Sequence, residues 1–211
     1  MSVKITWLGH ACYKFECGGN SAVIDPYMDY VPGLPKLEVE AGEVYASHTQ
    51  HEDHGWFEAV TIVPEAGESP FKVTTIDCYH DEEQGALRGE NKITIFEVAG
   101  KKFVHCGDLG HMLSDEQIAA IKGCDVLMIP VGGFYTIEPE TAKEIMVAAD
   151  PKITVPMHYR VGDIGFDVLK TPQDFADMVT DRPVEWSDGP VIEVGDVAEN
   201  KVVVLKFGET Y

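Results

Sequence analysis

The segment Ser47–Trp56, SHTQHEDHGW, holds His48, His51, Asp53 and His54 within seven consecutive positions. Neutral imidazoles and carboxylates are the ligands a divalent metal such as zinc takes, and a catalytic site keeps one position open. A loop this short can aim neighbouring side chains at two adjacent ions. The segment follows a short strand-like run, EVYAS, so the chain must bring other strand ends to the same place. Candidates stand beside such ends: His80 in CYHDE, Asp108 and His111 in HCGDLGH, and His158 in VPMHY. Two ions about 3.5–4 Å apart would occupy a set of this size. A lone histidine is more often a packed residue than a ligand, and His105, one position before Cys106, reads as core.

Hydrophobic patterning supplies the strands. VKITWL, ACYKFE and SAVID read as three short strands, with CGGN as a hairpin turn between the second and third. Further apolar runs follow at AVTIV, FKVTTIDCY, KITIFEV and KKFVHCG. The second half alternates. SDEQIAAIKGCD predicts a helix with Ser114 as N-cap, Gln117 closing a capping box and Gly123 near the stop. DVLMIPVGG and KITVPMHY predict buried strands, EPETAKEIMVAAD a helix, and TPQDFADMVTD a helix opened by Thr171-Pro172. PVIEV and KVVVLKF close the chain as strands. The Pro/Gly-rich stretch from Pro26 to Glu43 predicts a lid or rim. Strands with interspersed helices imply two packed sheets with helices outside, an α/β sandwich.

The order IDP, HxDH, a lone His, GD and a final His after a strand resembles the metallo-β-lactamase superfamily. WLGHACYKFE, YHDEEQGALRGEN, GDLGH and IPVGGFYT are similar to small bacterial metal-dependent hydrolases of the ascorbate-phosphate lactonase-like branch. The likeness runs from Lys4 to about Tyr159 and implies a four-layer αββα sandwich, two mixed sheets face to face, as a single domain over residues 1–211. It also implies one metal site from His51, His80 and an upstream residue, a second from Asp53, His54 and His158, and Asp108 bridging the two. Asp25 and His10 would support the ligands, and Asp53, Asp108 and His111 would take part in catalysis. The departure is at the first ligand, where the family pattern places His two positions before His51 and this chain has Thr49. His48 can serve if the loop bulges by one residue. The implied cofactor is Zn2+, as two ions, with Mn2+ or Fe2+ as alternatives. The implied reaction is attack by a metal-held hydroxide on a small ester, lactone or phosphoester.

The alternatives are a single-ion metal-binding protein without hydrolysis and a metal-dependent nuclease. Sixteen Lys and Arg against 36 Asp and Glu give a net charge of −20, which repels phosphate backbones and disfavours a nucleic-acid partner. Five cysteines without Cys-x-x-Cys spacing fit neither a disulfide framework nor a zinc knuckle. With no signal-like segment and no apolar run of membrane-spanning length, the expectation is a cytoplasmic protein with a small-molecule substrate, no membrane partner and an open oligomeric state.

Overall fold

Alternation of buried and half-buried side chains builds the first sheet. In β1 (Val3–Gly9), Val3, Ile5 and Trp7 point to the core while Lys4 and Thr6 face outward. β2 (Cys12–Cys17) and β3 (Asn20–Ile24) continue antiparallel, joined by Gly18 and Gly19 at φ 61° and 88°. Only glycine adopts that pair of angles without steric cost, so CGGN is the expected hairpin. β4 (Val39–Ala41), β5 (Glu43–Tyr45) and β6 (Val60–Ile62) follow. Next come β7 (Lys72–Tyr79), β8 (Glu90–Val98) and β9 (Lys101–His105), an antiparallel meander. The computed structural model describes residues 2–50, 54–195 and 200–208.

From there the chain alternates helix and strand: α1 (Asp115–Ile121), β10 (Val126–Pro130), α2 (Pro139–Ala149), β11 (Ile153–Met157) and α3 (Pro172–Ala176). β12 (Val184–Trp186), β13 (Val191–Val194) and β14 (Lys201–Val204) close it. The capping box at Ser114 and Gln117 forms as expected. α3 is shorter than expected: after Ala176 the chain tightens into i→i+3 bonds, Met178 N–H to Phe175 and Val179 N–H to Ala176.

Two mixed sheets result. One runs β13-β1-β2-β3-β5, the other β12-β14-β11-β10-β9-β8-β7, with β4 and β6 as a separate parallel pair. β10 and β11 are buried along their whole length, as parallel strands covered on both faces should be. The sheets meet through side chains such as Phe15, whose ring stacks on Phe96 at 4.6 Å and meets Phe103 edge-on at 5.9 Å. Each such pair adds about 0.5–1.5 kcal/mol beyond its buried area.

The fold is therefore an α/β sandwich of mixed sheets flanked by helices, and the helical cover is uneven. α2 packs on β10 and touches both α1 and α3. Over the first sheet, Tyr27, Val31, Leu34 and Leu37 cover Cys12 and Val23. Much of the 26–43 stretch is thus a packed outer layer, pinned by Tyr27 Oη donating to Leu8 O (2.9 Å) and Gly165 N–H to Pro32 O (2.8 Å).

Candidate metal centre

Strand ends deliver the polar residues. His10 follows β1, Asp25 follows β3, Ser47 and His48 follow β5, His80 follows β7, Asp108 follows β9 and His158 follows β11. His10, Asp25 and His158 each have φ 53°. This left-handed conformation costs a non-glycine residue about 1–3 kcal/mol, and such strain collects at functional sites. It turns the side chain out of the strand's alternation into the space where the ends meet. There His10, His48, His54, His80, Asp108 and His158 are all buried.

Asp108 is the hub. Its Oδ1 lies 2.9 Å from His54 Nε2, and its Oδ2 lies 3.2 Å from both His80 Nε2 and His158 Nε2. Burial by itself would raise this carboxyl, but the charge and hydrogen bonds of His158 and His54 hold it well below the usual carboxylate range. Burial is the largest single influence on the His80 ring and would lower it, but the hydrogen bond and the charge of Asp108 together raise it. His48, His54 and Asp108 present ligand atoms within 4.8 Å of one another, and so do His10, His54 and His158.

Buried main-chain and side-chain bonds hold these side chains in place. Ser47 donates to Asp25 twice, from N–H (2.6 Å) and from Oγ (2.9 Å), and Ser47 Oγ meets His48 Nδ1 at 3.0 Å. With Asp25 ionised, the hydroxyl proton of Ser47 goes to Asp25, so His48 donates from Nδ1 and its Nε2 lone pair faces the cluster. Burial pushes the Asp25 carboxyl up to about 7 despite the lowering effect of His54 and the Ser47 bonds. His105 is core, as expected. Its Nε2 donates to Ala11 O (2.8 Å), Nδ1 accepts from Gly107 N–H (3.1 Å), and burial lowers the ring to about 4. Its 3.7 Å approach to Asp25 is therefore a contact of a neutral ring, not an ion pair.

Two positioning residues carried no signal in the sequence. Asn91, in β8, is buried. It donates to Cys106 O (2.9 Å) and Cys78 Sγ (3.1 Å), and it accepts the Asp108 N–H (3.0 Å). Asp81 accepts main-chain N–H groups from Glu83, Gly85, Leu87 and Arg88 at 2.7–3.0 Å, closing the loop after His80 into a rigid turn. An Asp beside a histidine suggests a ligand before it suggests a loop staple.

A β-lactamase superfamily domain model matches residues 4–158, nearly three quarters of the chain. The chain belongs to the β-lactamase superfamily. Within it, a Thermotoga maritima protein described as a candidate Zn-dependent hydrolase of the metallo-β-lactamase superfamily shares 31% identity. That match covers 96% of this chain and 98% of the other, with a TM-score of 0.70. A UPF0173 metal-dependent hydrolase of Archaeoglobus fulgidus is 28% identical over 99% of this chain and 98% of that relative. Igni18, a metallo hydrolase of Ignicoccus hospitalis, shares the fold at 20% identity and a TM-score of 0.62, over 84% of this chain and 90% of that one.

Of the superfamily residues expected from sequence, the fold gathers His48, His54, His80, Asp108 and His158. His51 and Asp53 lie outside the described residues. Thr49 is exposed and His48 is buried in the cluster, so His48 is the residue that enters the centre. His10, expected in a supporting role, offers a ligand atom within 4.8 Å of those of His54 and His158. His111 stands apart from both ligand groups. Its Nε2 accepts the Tyr79 N–H (3.1 Å) and its Nδ1 donates to Met112 O (2.8 Å), which ties the loop after β9 to the end of β7. The donor set fits a divalent cation: imidazoles and one carboxylate, all buried and all within reach of one another. Among the described residues no helix is long and apolar enough to cross a membrane.

Proposed function

We propose that the protein is a metal-dependent hydrolase with a two-ion centre and a small ester, lactone or phosphoester as substrate. One observation carries the reading: three imidazoles converge on the buried Asp108 carboxylate within 2.9–3.2 Å. Asp108 is the bridging ligand, with His48, His54, His80 and His158 around it and His51 and Asp53 completing the set. A neutral ring serves one ion at a time, and His54 belongs to both ligand groups. The second ion therefore draws on donors beyond these two groups, which is the part assigned to His51 and Asp53. Bound zinc would polarise the scissile group's oxygen and make water acidic near neutral pH, and manganese or iron could fill the same donors.

The chain's own residues do the positioning. The Asp25–Ser47 pair, with Asp25 ionised, sets the His48 tautomer, Asn91 fixes the backbone of Asp108, and the Asp81 turn braces the loop after His80. Proton transfer to the leaving group is assigned to Asp53 or His111, and His111 would first have to release its bond from the Tyr79 N–H. The net charge of −20 supports a small molecule over a nucleic acid. A lactone of the ascorbate-phosphate kind falls within this class, supported by the GDLGH and IPVGGFYT segments. Five free, buried cysteines support a reducing, cytoplasmic setting.

The deciding experiment is metal content per chain by mass spectrometry, on protein purified without chelator, followed by turnover of an ester, lactone and phosphoester panel. The expected result is close to two ions and measurable hydrolysis, with Asp108→Asn and His158→Ala losing both metal and rate by at least about 100-fold. One ion with no hydrolysis would favour a non-catalytic metal-binding protein, and full activity in the His158 variant would remove the assignment.

A further inference from the structure

We infer, building on the hydrolase reading above, that a cavity beside the metal centre is a subsite for a carboxylate at the far end of the substrate, read by Arg88 and Thr136. The cavity measures about 320 Å³ and lies between the Asp81–Arg88 turn and the Phe134–Glu138 segment, a size that suits part of a small ligand. Its wall is shared with the backbone beside His80. Asp81 follows His80, and Gly110 is pressed so closely on the His80–Asp81 peptide that a Cβ there would fall 2.2 Å from His80 C.

Arg88 is held for recognition. Its Nη2 donates to Phe134 O at 3.0 Å and its guanidinium stands 5.9 Å from the Tyr135 ring centre, within cation–π range. That leaves four of its five N–H donors, and among the described residues no carboxylate is ion-paired with it. Asp81 and Glu138 also line the cavity, but their charge is already engaged. Asp81 accepts four main-chain N–H groups, and Glu138 pairs with Lys170 at 2.8 Å. Glu82 and Glu83 are exposed and screened by solvent. Thr136 lines the same cavity at 7% exposure, and its hydroxyl has no hydrogen-bond partner among the described residues. A guanidinium plane and one hydroxyl match a planar, singly charged carboxylate. A dianionic phosphate would meet too few donors beside Glu82 and Glu83.

The cavity wall beside Arg88 is partly apolar, with Leu87, Phe134, Tyr135 and Ile137, and a chain of packed rings links it to the candidate ligands. Tyr135 meets Phe166 at 5.8 Å, Phe166 meets His10 at 6.0 Å, and His10 lies 4.0 Å from His158. Phe134 is held beside Tyr135 with φ 57° and 56% exposure, a strained and solvent-facing placement for an aromatic residue. The substrate class is therefore a small ester with an apolar body and a terminal carboxylate.

The test compares monophenyl succinate, adipate and suberate with their methyl-capped diesters by kcat/KM. At least one free acid should exceed its capped partner by about 10-fold or more. Arg88→Gln should bring that ratio near one, Thr136→Val should reduce it, and Arg88→Lys should keep part of it. An equal fall for both members of a pair, with the ratio intact, would mean that Arg88 only props the Phe134 loop, and the inference would fail. Hydrolysis of the capped esters with no preference for any free acid would overturn the subsite and leave the hydrolase reading standing. Calorimetric binding of suberic acid monoanilide against its methyl ester reads the subsite without turnover. A preference there that Arg88→Gln abolishes supports the subsite even if no ester is cleaved, and equal binding of both overturns it.

Discussion

Replacing Asn91 with alanine tests whether the centre is held by its supporting bonds. Asn91 is 1% exposed and joins β8 to the Asp108 loop through Cys106 O and the Asp108 N–H. Both of those main-chain groups are themselves buried. Alanine leaves each without its partner, at about 1–3 kcal/mol apiece, so the expected destabilisation is about 2–6 kcal/mol. The neighbourhood has little room to relax: a Cβ on Gly107 would already meet Ser47 Cβ at 2.4 Å and Asn91 Oδ1 at 2.5 Å. Against a total stability of about 5–15 kcal/mol, this is a large fraction. Urea unfolding in chelator reads the hydrogen-bond cost alone, provided the denaturant slope is unchanged. Metal competition titration reads the second consequence, a loss of about 10–100-fold in affinity as Asp108 loses its anchor. An Asn91→Ala protein within about 1 kcal/mol of the parent, with unaltered metal affinity, would refute this account of how the Asp108 carboxylate is placed.

Three other perturbations separate the parts of the site. Gly110→Ala sets a methyl group 2.2 Å from His80 C, so His80 must move; metal content should fall, and retention of a full complement would show that the loop can yield. Four main-chain N–H bonds hold the Asp81 carboxyl below its ordinary range against the opposing effect of burial, so its folded pKa lies below the unfolded value of about 3.9. Its contribution is then fully present above about pH 4 and is lost as pH falls through the folded value. Hydrogen exchange at Glu83, Gly85, Leu87 and Arg88, corrected for intrinsic rates, should rise in that acid range and already be fast in Asp81→Asn at neutral pH. Ser114→Ala removes the bond to Gln117 N–H (3.2 Å) from the capping box and should cost about 1 kcal/mol in urea unfolding without altering metal content.

Local chemistry was readable from the chain itself. Alternation in VKITWLG fixes which face of β1 is buried, because strand side chains alternate whatever the sheet packs against. Gly18-Gly19 and the Ser114–Gln117 box announce their turn and helix start through bonds made within four residues. β4 and β12 do not read as strands: β4 lies inside the Pro/Gly-rich stretch that predicts a lid or rim, and β12 is a three-residue run between Pro183 and the turn at Ser187. The helix begun at Pro172 stops early, since its length depends on what it packs against.

Sequence alone also determined where the candidate metal ligands stand, because His48, His80, Asp108 and His158 each follow a strand-like run. Tertiary structure decided which atoms meet. Asp108 touches His54, His80 and His158, residues between 28 and 54 positions away along the chain, and no local rule gives those distances. It also decided that His48 and not Thr49 turns inward, that His10 comes within ligand distance of His54 and His158, and that Asp81 staples a loop. Each of these depends on the order in which strands are laid side by side. That order is set by burial summed over the whole core, while the ligand residues themselves contribute only the chemistry waiting at the strand ends.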